Sequence, residues 1–241
     1  MCVINKDGVT IYNDDFRNVL GRCRDNSVDL IITDPPYRTT KRGISKNTTT
    51  GGLVRSELGK QGKIFQHNDV KAEEYIPELY RILKNGSHCY IMTNHVNLYE
   101  ILTVAQNSGF HFIKSLIWNK GNKIMGQCYM SQFEYILFFR KGKHKKINNC
   151  GTSDILNVTN KKLKNSEGKN LHDTEKPVEL MKILIENSSK EGDLVVDPFT
   201  GIGGIAIACK LSNRKFGGCE IDNRYFKTIQ DRLDNVYNDF N

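Results

Sequence analysis

Apolar runs and apolar stripes alternate along this chain. Val28 to Thr33 is almost continuously apolar, the mark of a strand covered on both faces, and Leu194 to Val196 repeats that pattern late in the sequence. Val9 to Tyr12, Ser87 to Thr93 and Phe216 to Cys219 are further strand candidates, and Phe112 to Trp118 and Phe133 to Phe139 are aromatic-rich ones. Helical stretches fall between them. Asp14 or Asp15 can cap a helix running to about Cys23. Ala72 to Leu83 reads as a helix stopped near Asn85-Gly86, and Asn94 can cap another that ends at Asn107 with Gly109 just after it. Pro177 opens a helix with Leu180, Ile183 and Leu184 at helical spacing, and Ile205 to Leu211 and Tyr225 to Val236 complete the series. Strand and helix in alternation predict an α/β fold: a doubly wound, mostly parallel sheet with helices on both faces.

Three stretches escape the pattern. Residues 38–70 have no periodicity, Gly121 to Met130 reads as a loop, and residues 140–172 are basic and weakly patterned. A structureless stretch as long as the first, inside a compact domain, is usually functional or disordered. Charge sharpens this. The net charge of +8 is uneven: residues 38–63 carry +6 and residues 140–170 carry +7, which leaves −5 for the rest of the chain. A mildly acidic body with two basic segments fits arms that meet a polyanion, although charge runs also occur as plain solvated surface. The seven cysteines are scattered without a CxxC pair, which argues for reduced thiols, a cytoplasmic setting and no zinc site. No apolar run is long enough for a membrane helix, the polar N-terminus does not read as a signal peptide, and the 241 residues suit one domain, 1–241, with insertions at 38–70 and 140–172.

The chemistry concentrates in two loops 163 residues apart. Asp34-Pro35-Pro36-Tyr37 ends the first apolar strand, and Asp197-Pro198-Phe199-Thr200-Gly201-Ile202-Gly203-Gly204 ends the later one. Functional groups in open α/β sheets gather at the carboxyl ends of strands. Gly201 and Gly203 let backbone approach a ligand before a helix whose N-terminus offers free N–H groups, and Glu220 ends the next strand, where an acid commonly accepts hydrogen bonds from ribose hydroxyls. Neither the phosphate-loop pattern GxxxxGK[ST] nor GxGxxG is present, which disfavours ATP hydrolysis and NAD. In the first loop two prolines fix φ and remove two N–H donors. Asp34 supplies a carboxylate and Tyr37 a flat ring, a combination suited to holding a planar amine. The Asp34 carboxylate and the Pro35 carbonyl would accept the two amine hydrogens and favour a pyramidal nitrogen with a directed lone pair.

These two motifs, catalytic before cofactor, resemble the permuted amino-methyltransferases that use S-adenosylmethionine. The second loop is similar to that family's DPFxGxG cofactor loop, and His172-Asp173-Thr174-Glu175-Lys176-Pro177 resembles its H-P-T-x-K-P segment, with Asp173 where proline is usual. The resemblance implies a Rossmann-like methyltransferase fold with one antiparallel strand. It implies a cofactor site of Asp14, Asp34, Thr174, Lys176, Asp197, Phe199, Gly201, Gly203 and Glu220, with His172 beside it, and S-adenosylhomocysteine as the product. Phe199 would pack on the cofactor with its ring exposed. Ile202 and Gly204 stand where small hydroxyl residues are usual. In this family the acid-first motif goes with adenine N6, so Asp34, Pro35, Pro36 and Tyr37 become the catalytic residues of a site-specific enzyme acting on double-stranded DNA by base flipping, without metal, as part of a restriction-modification system. Cytosine N4, RNA, a protein amide, or a non-catalytic cofactor- or DNA-binding subunit are the alternatives. A homodimer is allowed, a membrane partner is not expected, and the resemblance spans Ile11 to about Leu233, leaving no room for a nuclease domain.

Overall fold

The structure of the protein is a computed structural model that describes residues 2–36, 70–124, 129–160 and 175–235. Its elements, in chain order, are β1 (Cys2–Lys6), β2 (Val9–Asn13), α1 (Phe16–Arg22), β3 (Val28–Thr33), α2 (Ala72–Ile82), β4 (Leu83–Thr93), α3 (Leu98–Asn107), β5 (His111–Ile124), β6 (Ser131–Arg140), β7 (Ile155–Asn157), α4 (Val178–Ser188), β8 (Leu194–Asp197), α5 (Gly204–Leu211), β9 (Lys215–Cys219) and α6 (Asn223–Asp234). Among the described residues the strands form one sheet in the order β1-β2-β9-β8-β3-β4-β6-β5-β7. Two strands run against the rest. One is β6, antiparallel to both β4 and β5, and the other is β1, paired antiparallel to β2 at the edge.

The near-continuous apolar run of β3 is explained by its central place. From Leu30 onward its residues alternate between two cores, after an irregularity that follows Val28. Leu30 and Ile32 belong to one, packed with α4, α5 and α6; Val28 and Ile31 belong to the other, packed with α1, α2 and α3. Burying both faces removes apolar surface from water at about 25 cal/mol per Å2, so a strand in this position has no place for alternating polar residues.

Several boundaries differ from the sequence pattern. Asn85-Gly86 reads as a stop, yet β4 begins at Leu83, directly after α2. Gly86 takes φ +82° within the strand, and the register with β3 slips between Val28 and Leu30, so the turn dipeptide makes an irregularity in the ladder. Asn94 does not cap α3 directly. Its Oδ1 accepts from the Val96 and Asn97 backbone N–H groups, which builds a turn leading to Asn97 at the cap position. The stretch from Gly121 to Ile124 is strand, the end of β5, with Ile124 paired to Ser131. β1 and β7 carry little apolar signal because each buries one residue, Ile4 and Leu156, and β7 falls inside the basic segment 140–172.

Candidate active site

The two motif loops meet because their strands are neighbours. β3 and β8 are parallel, with Leu30 opposite Val195 and Ile31 opposite Val196, so Asp34 and Asp197 emerge side by side at the carboxyl edge. The chain runs from β3 to β4 on one side and returns through β8 on the other, which makes this the switch point where α/β sheets open a crevice.

Asp197 binds the loops to each other. Its Oδ1 accepts from the Thr33 hydroxyl at 2.8 Å and from the Phe199 N–H at 3.0 Å. The residue is 2% exposed, and burial pushes its carboxyl up to about 7. These two bonds make Asp197 the clamp between the Asp34 loop and the loop that carries the glycine turn. Beyond it the chain turns through Gly201 at φ +58° and Gly203 at φ +84°, the latter at the N-cap position of α5. A Cβ on Gly203 would lie 3.0 Å from the Ile229 side chain on α6, so that glycine also serves packing.

Glu220 braces the same turn. Its Oε2 accepts from the Gly201 N–H at 2.9 Å and its Oε1 from the Asp222 N–H at 2.7 Å. Burial raises its carboxyl to about 7. Each oxygen keeps a further lone pair for a ligand hydroxyl. The end of β2 lies alongside, with Tyr12 O accepting from the Glu220 N–H at 3.0 Å. Asp14 follows β2. Its Oδ1 accepts from the Asn18 side chain and the Asp15 N–H, which hold its carboxyl below the usual range, while Asp15 is the residue that caps α1. Phe199 is half-buried, not exposed: its ring centroid lies 5.0 Å from that of Phe16 and 5.4 Å from that of Tyr75, so the helices α1 and α2 fix its tilt. An acid at the strand end, a turn with two positive-φ glycines, a ring and the first N–H groups of α5 thus share one edge. That donor and acceptor set fits a nucleoside with an amino-acid tail.

Asp34 opens toward the same edge. Pro35 is buried and Pro36 half-buried. Tyr37, His172 and Thr174 lie outside the described residues. Lys176 lies next to Asp34: its Nζ is 2.5 Å from Asp34 Oδ2 and 3.5 Å from Glu134 Oε2, and Lys120 Nζ is 2.5 Å from Glu134 Oε1. The other oxygen, Asp34 Oδ1, is buried and has no hydrogen-bond partner among the described residues. Burial raises the Asp34 carboxyl, and Lys176 opposes that rise. Burial would raise Glu134 too, yet Lys176 and Lys120 together hold it down. One oxygen tied to a cation and the other oriented but unbonded make Asp34 an acceptor ready for a donor.

Glu134 and Lys120 were absent from the sequence-derived site, as was the pair Glu175–Arg232. Arg232 on α6 contacts Glu175 Oε1 at 2.8 Å and donates to Ile202 O at 2.5 Å, tying the residue before Lys176 to the glycine turn. An acid inside an aromatic strand, Glu134 between Phe133 and Tyr135, was the available signal, since buried charges are rarely unpaired.

Residues 28–231 match the DNA methylase family of N6 and N4 methyltransferases. The chain is 30% identical over 244 residues to the type II methyltransferase M.HinfI of Haemophilus influenzae, covering 93% of this chain and 68% of that protein. The fold is similar to that in the crystal structure of the M1.HpyAVI–SAM complex, with TM-score 0.69 and 23% identity over 93% of this chain and 100% of the other. It is equally similar, at TM-score 0.69 and 14% identity, to the cytosine-N4-specific PvuII DNA methyltransferase, over 95% of this chain and 91% of that one. With both motif loops meeting at one carboxyl edge and most of its length matched, the chain belongs to the DNA methylase family, whose reaction is transfer of a methyl group from S-adenosylmethionine to DNA.

Proposed function

We propose that this chain methylates adenine N6 at a specific site in double-stranded DNA. The observation that carries the reading is Asp34: an acid-first motif whose Oδ1 faces no partner among the described residues while Oδ2 is held by Lys176. The exocyclic amine of adenine has two hydrogens and a lone pair delocalised into its ring. Asp34 Oδ1 accepts one hydrogen and the Pro35 carbonyl the other, which directs the lone pair at the methyl donor. S-adenosylmethionine supplies an electrophilic methyl group and leaves as S-adenosylhomocysteine. Glu220, Phe199 and the Gly201–Gly203 turn hold it, with Asp14 beside the adenine end and Thr174 at the methionine end. Tyr37 stacks on the target base.

A base in a duplex cannot present its amine to Asp34, so it is extruded, at a few kcal/mol of unstacking. The basic segments 38–70 and 140–172 supply phosphate contacts. Both loops come from one chain, so one copy completes the site and a homodimer would carry two. Among the described residues no helix is long and apolar enough to cross a membrane, and the cytoplasm suits both chromosomal DNA and the free cysteines.

The likeness to a cytosine-N4-specific enzyme leaves the amine to chemistry rather than fold. The test is digestion of DNA exposed to the protein and S-adenosylmethionine into nucleosides. N6-methyladenine is the expected product. N4-methylcytosine as the product, or unmodified DNA beside methylated RNA or protein, would overturn the reading.

A further inference from the structure

Among the described residues Lys176 has two neighbouring carboxylates, and the second one has a cation of its own. The contacts run Asp34–Lys176–Glu134–Lys120 at 2.5, 3.5 and 2.5 Å, through side chains that are 21%, 9%, 17% and 12% exposed. Four separated stretches supply them: the β3 carboxyl end, the residues before α4, β6 and β5. Trp118 lies beneath Lys120, with Nζ 5.1 Å from the ring. Glu175, adjacent to Lys176, is anchored by Arg232, which fixes the backbone from which Lys176 reaches inward. A long lysine side chain loses rotamer freedom when ordered, and contacts to two acids help to hold its cation in one position.

We propose that Lys176 is a positioning residue for Asp34, and that Glu134, itself neutralised by Lys120, sets how much of the Lys176 charge Asp34 receives. The proposal rests on the reading of Asp34 as the acceptor of the target amine. Alone with Asp34, Lys176 would form a tight pair that competes with the amine for the carboxylate. Shared with Glu134, it holds Oδ2 and leaves Oδ1 basic enough to accept a hydrogen bond. Without Lys176, the buried Asp34 carboxyl would take up a proton and lose that acceptor. Besides Lys176, Glu134 and Lys120, the ionisable groups facing Asp34 among the described residues are Asp197 at the next loop and Tyr75 on α2. Both are common to all the variants below.

The signs of the two effects are opposite, and this makes the relay testable. Removing Lys176 removes the cation that favours ionised Asp34, so activity should need a higher pH. Removing the charge of Glu134 removes an anion that disfavours ionised Asp34 and leaves Lys176 to it alone, so activity should extend to lower pH. The full-length protein is assayed on duplex DNA with S-adenosylmethionine, and kcat/KM is followed against pH for wild type, Lys176→Met, Lys176→Arg and Glu134→Gln. The acid limb should move up by about one pH unit or more in Lys176→Met, move down in Glu134→Gln, and stay near wild type in Lys176→Arg. Limbs that move in the same direction, or do not move, overturn the proposal. A merely structural role lowers activity without opposed shifts. If Lys176→Met fails to fold by near-ultraviolet circular dichroism, Glu134→Gln decides: a limb unmoved or displaced upward overturns the relay. Wild-type protein that makes no N6-methyladenine sinks the reading of the function instead, and wild-type protein that makes it beside unshifted variants sinks only the relay.

Discussion

Asp34-Pro35 and Asp197-Pro198 are the same dipeptide at the same place, the carboxyl ends of two adjacent parallel strands, yet the two acids have opposite surroundings. Asp197 points inward. It is 2% exposed and bonded to the Thr33 hydroxyl and the Phe199 N–H, so it joins the loops and receives no cation among its described partners. Asp34 points along the edge and is 21% exposed. It has Lys176 on one oxygen and none of the described groups bonded to the other. An acid satisfied by neutral donors inside a protein suits a scaffold, whereas an acid balanced by a cation and left with an unbonded oxygen suits the acceptor role proposed for Asp34. The difference lies in what surrounds each carboxylate, since the dipeptides match.

The same conservative change at both positions should break this symmetry most visibly. Asp34→Asn keeps the shape but replaces one carboxylate oxygen with a donor, so kcat should fall by about 10²–10³-fold or more, with S-adenosylmethionine affinity within about tenfold by calorimetry. Asp197→Asn keeps an acceptor for both Thr33 and Phe199 and should keep most of the activity. Equal losses at the two positions would erase the distinction.

The next effect concerns the frame that both loops share. Arg232 and Glu175 are 5% and 6% exposed at their side chains, and Arg232 also holds Ile202 O. Arg232→Met leaves Glu175 buried beside a neutral chain and should cost about 3–5 kcal/mol in urea unfolding, with weakened S-adenosylmethionine binding because the glycine turn loses its anchor. An unchanged midpoint would remove the pair from the framework.

The smallest effect is in the pH dependence of stability. Burial raises the Asp197 carboxyl from 3.8 to about 7 in the folded protein. Between those values the folded chain holds a proton that the unfolded chain has released, so stability falls as pH rises through that window. Asp197→Asn removes this contribution. The stability difference between variant and wild type should therefore shift in the variant's favour by about 1–3 kcal/mol from pH 4 to pH 7. Glu220 titrates in both proteins, and because Asp197 is one of the groups that raise its carboxyl, the substitution lowers Glu220 and moves the difference in the same direction. A flat difference curve would mean that Asp197 stays ionised throughout.

Much of this was legible beforehand for a stated reason. β3 and β8 announced themselves because central strands bury both faces, and the two motifs did so because proline and glycine restrict backbone in ways few other residues can. β1 and β7 were silent because an edge strand that buries one residue has no period to read. Gly86 misled because an Asn-Gly dipeptide serves a turn and a strand irregularity alike.

By itself, the sequence determined the class of fold, the two loops and the identity of the acids in them, since these follow from local pattern and local backbone limits. The tertiary structure decided which acid is paired with a cation and which is bonded to neutral donors across the two loops. It carried Lys176 to Asp34 across 142 positions and brought Glu134 and Lys120 in from two further strands. It also turned Phe199 against Phe16 and Tyr75. The physical reason is that the state of a carboxylate depends on the charges and donors within a few ångströms of it, and in a folded sheet those neighbours come from strands far apart in the chain.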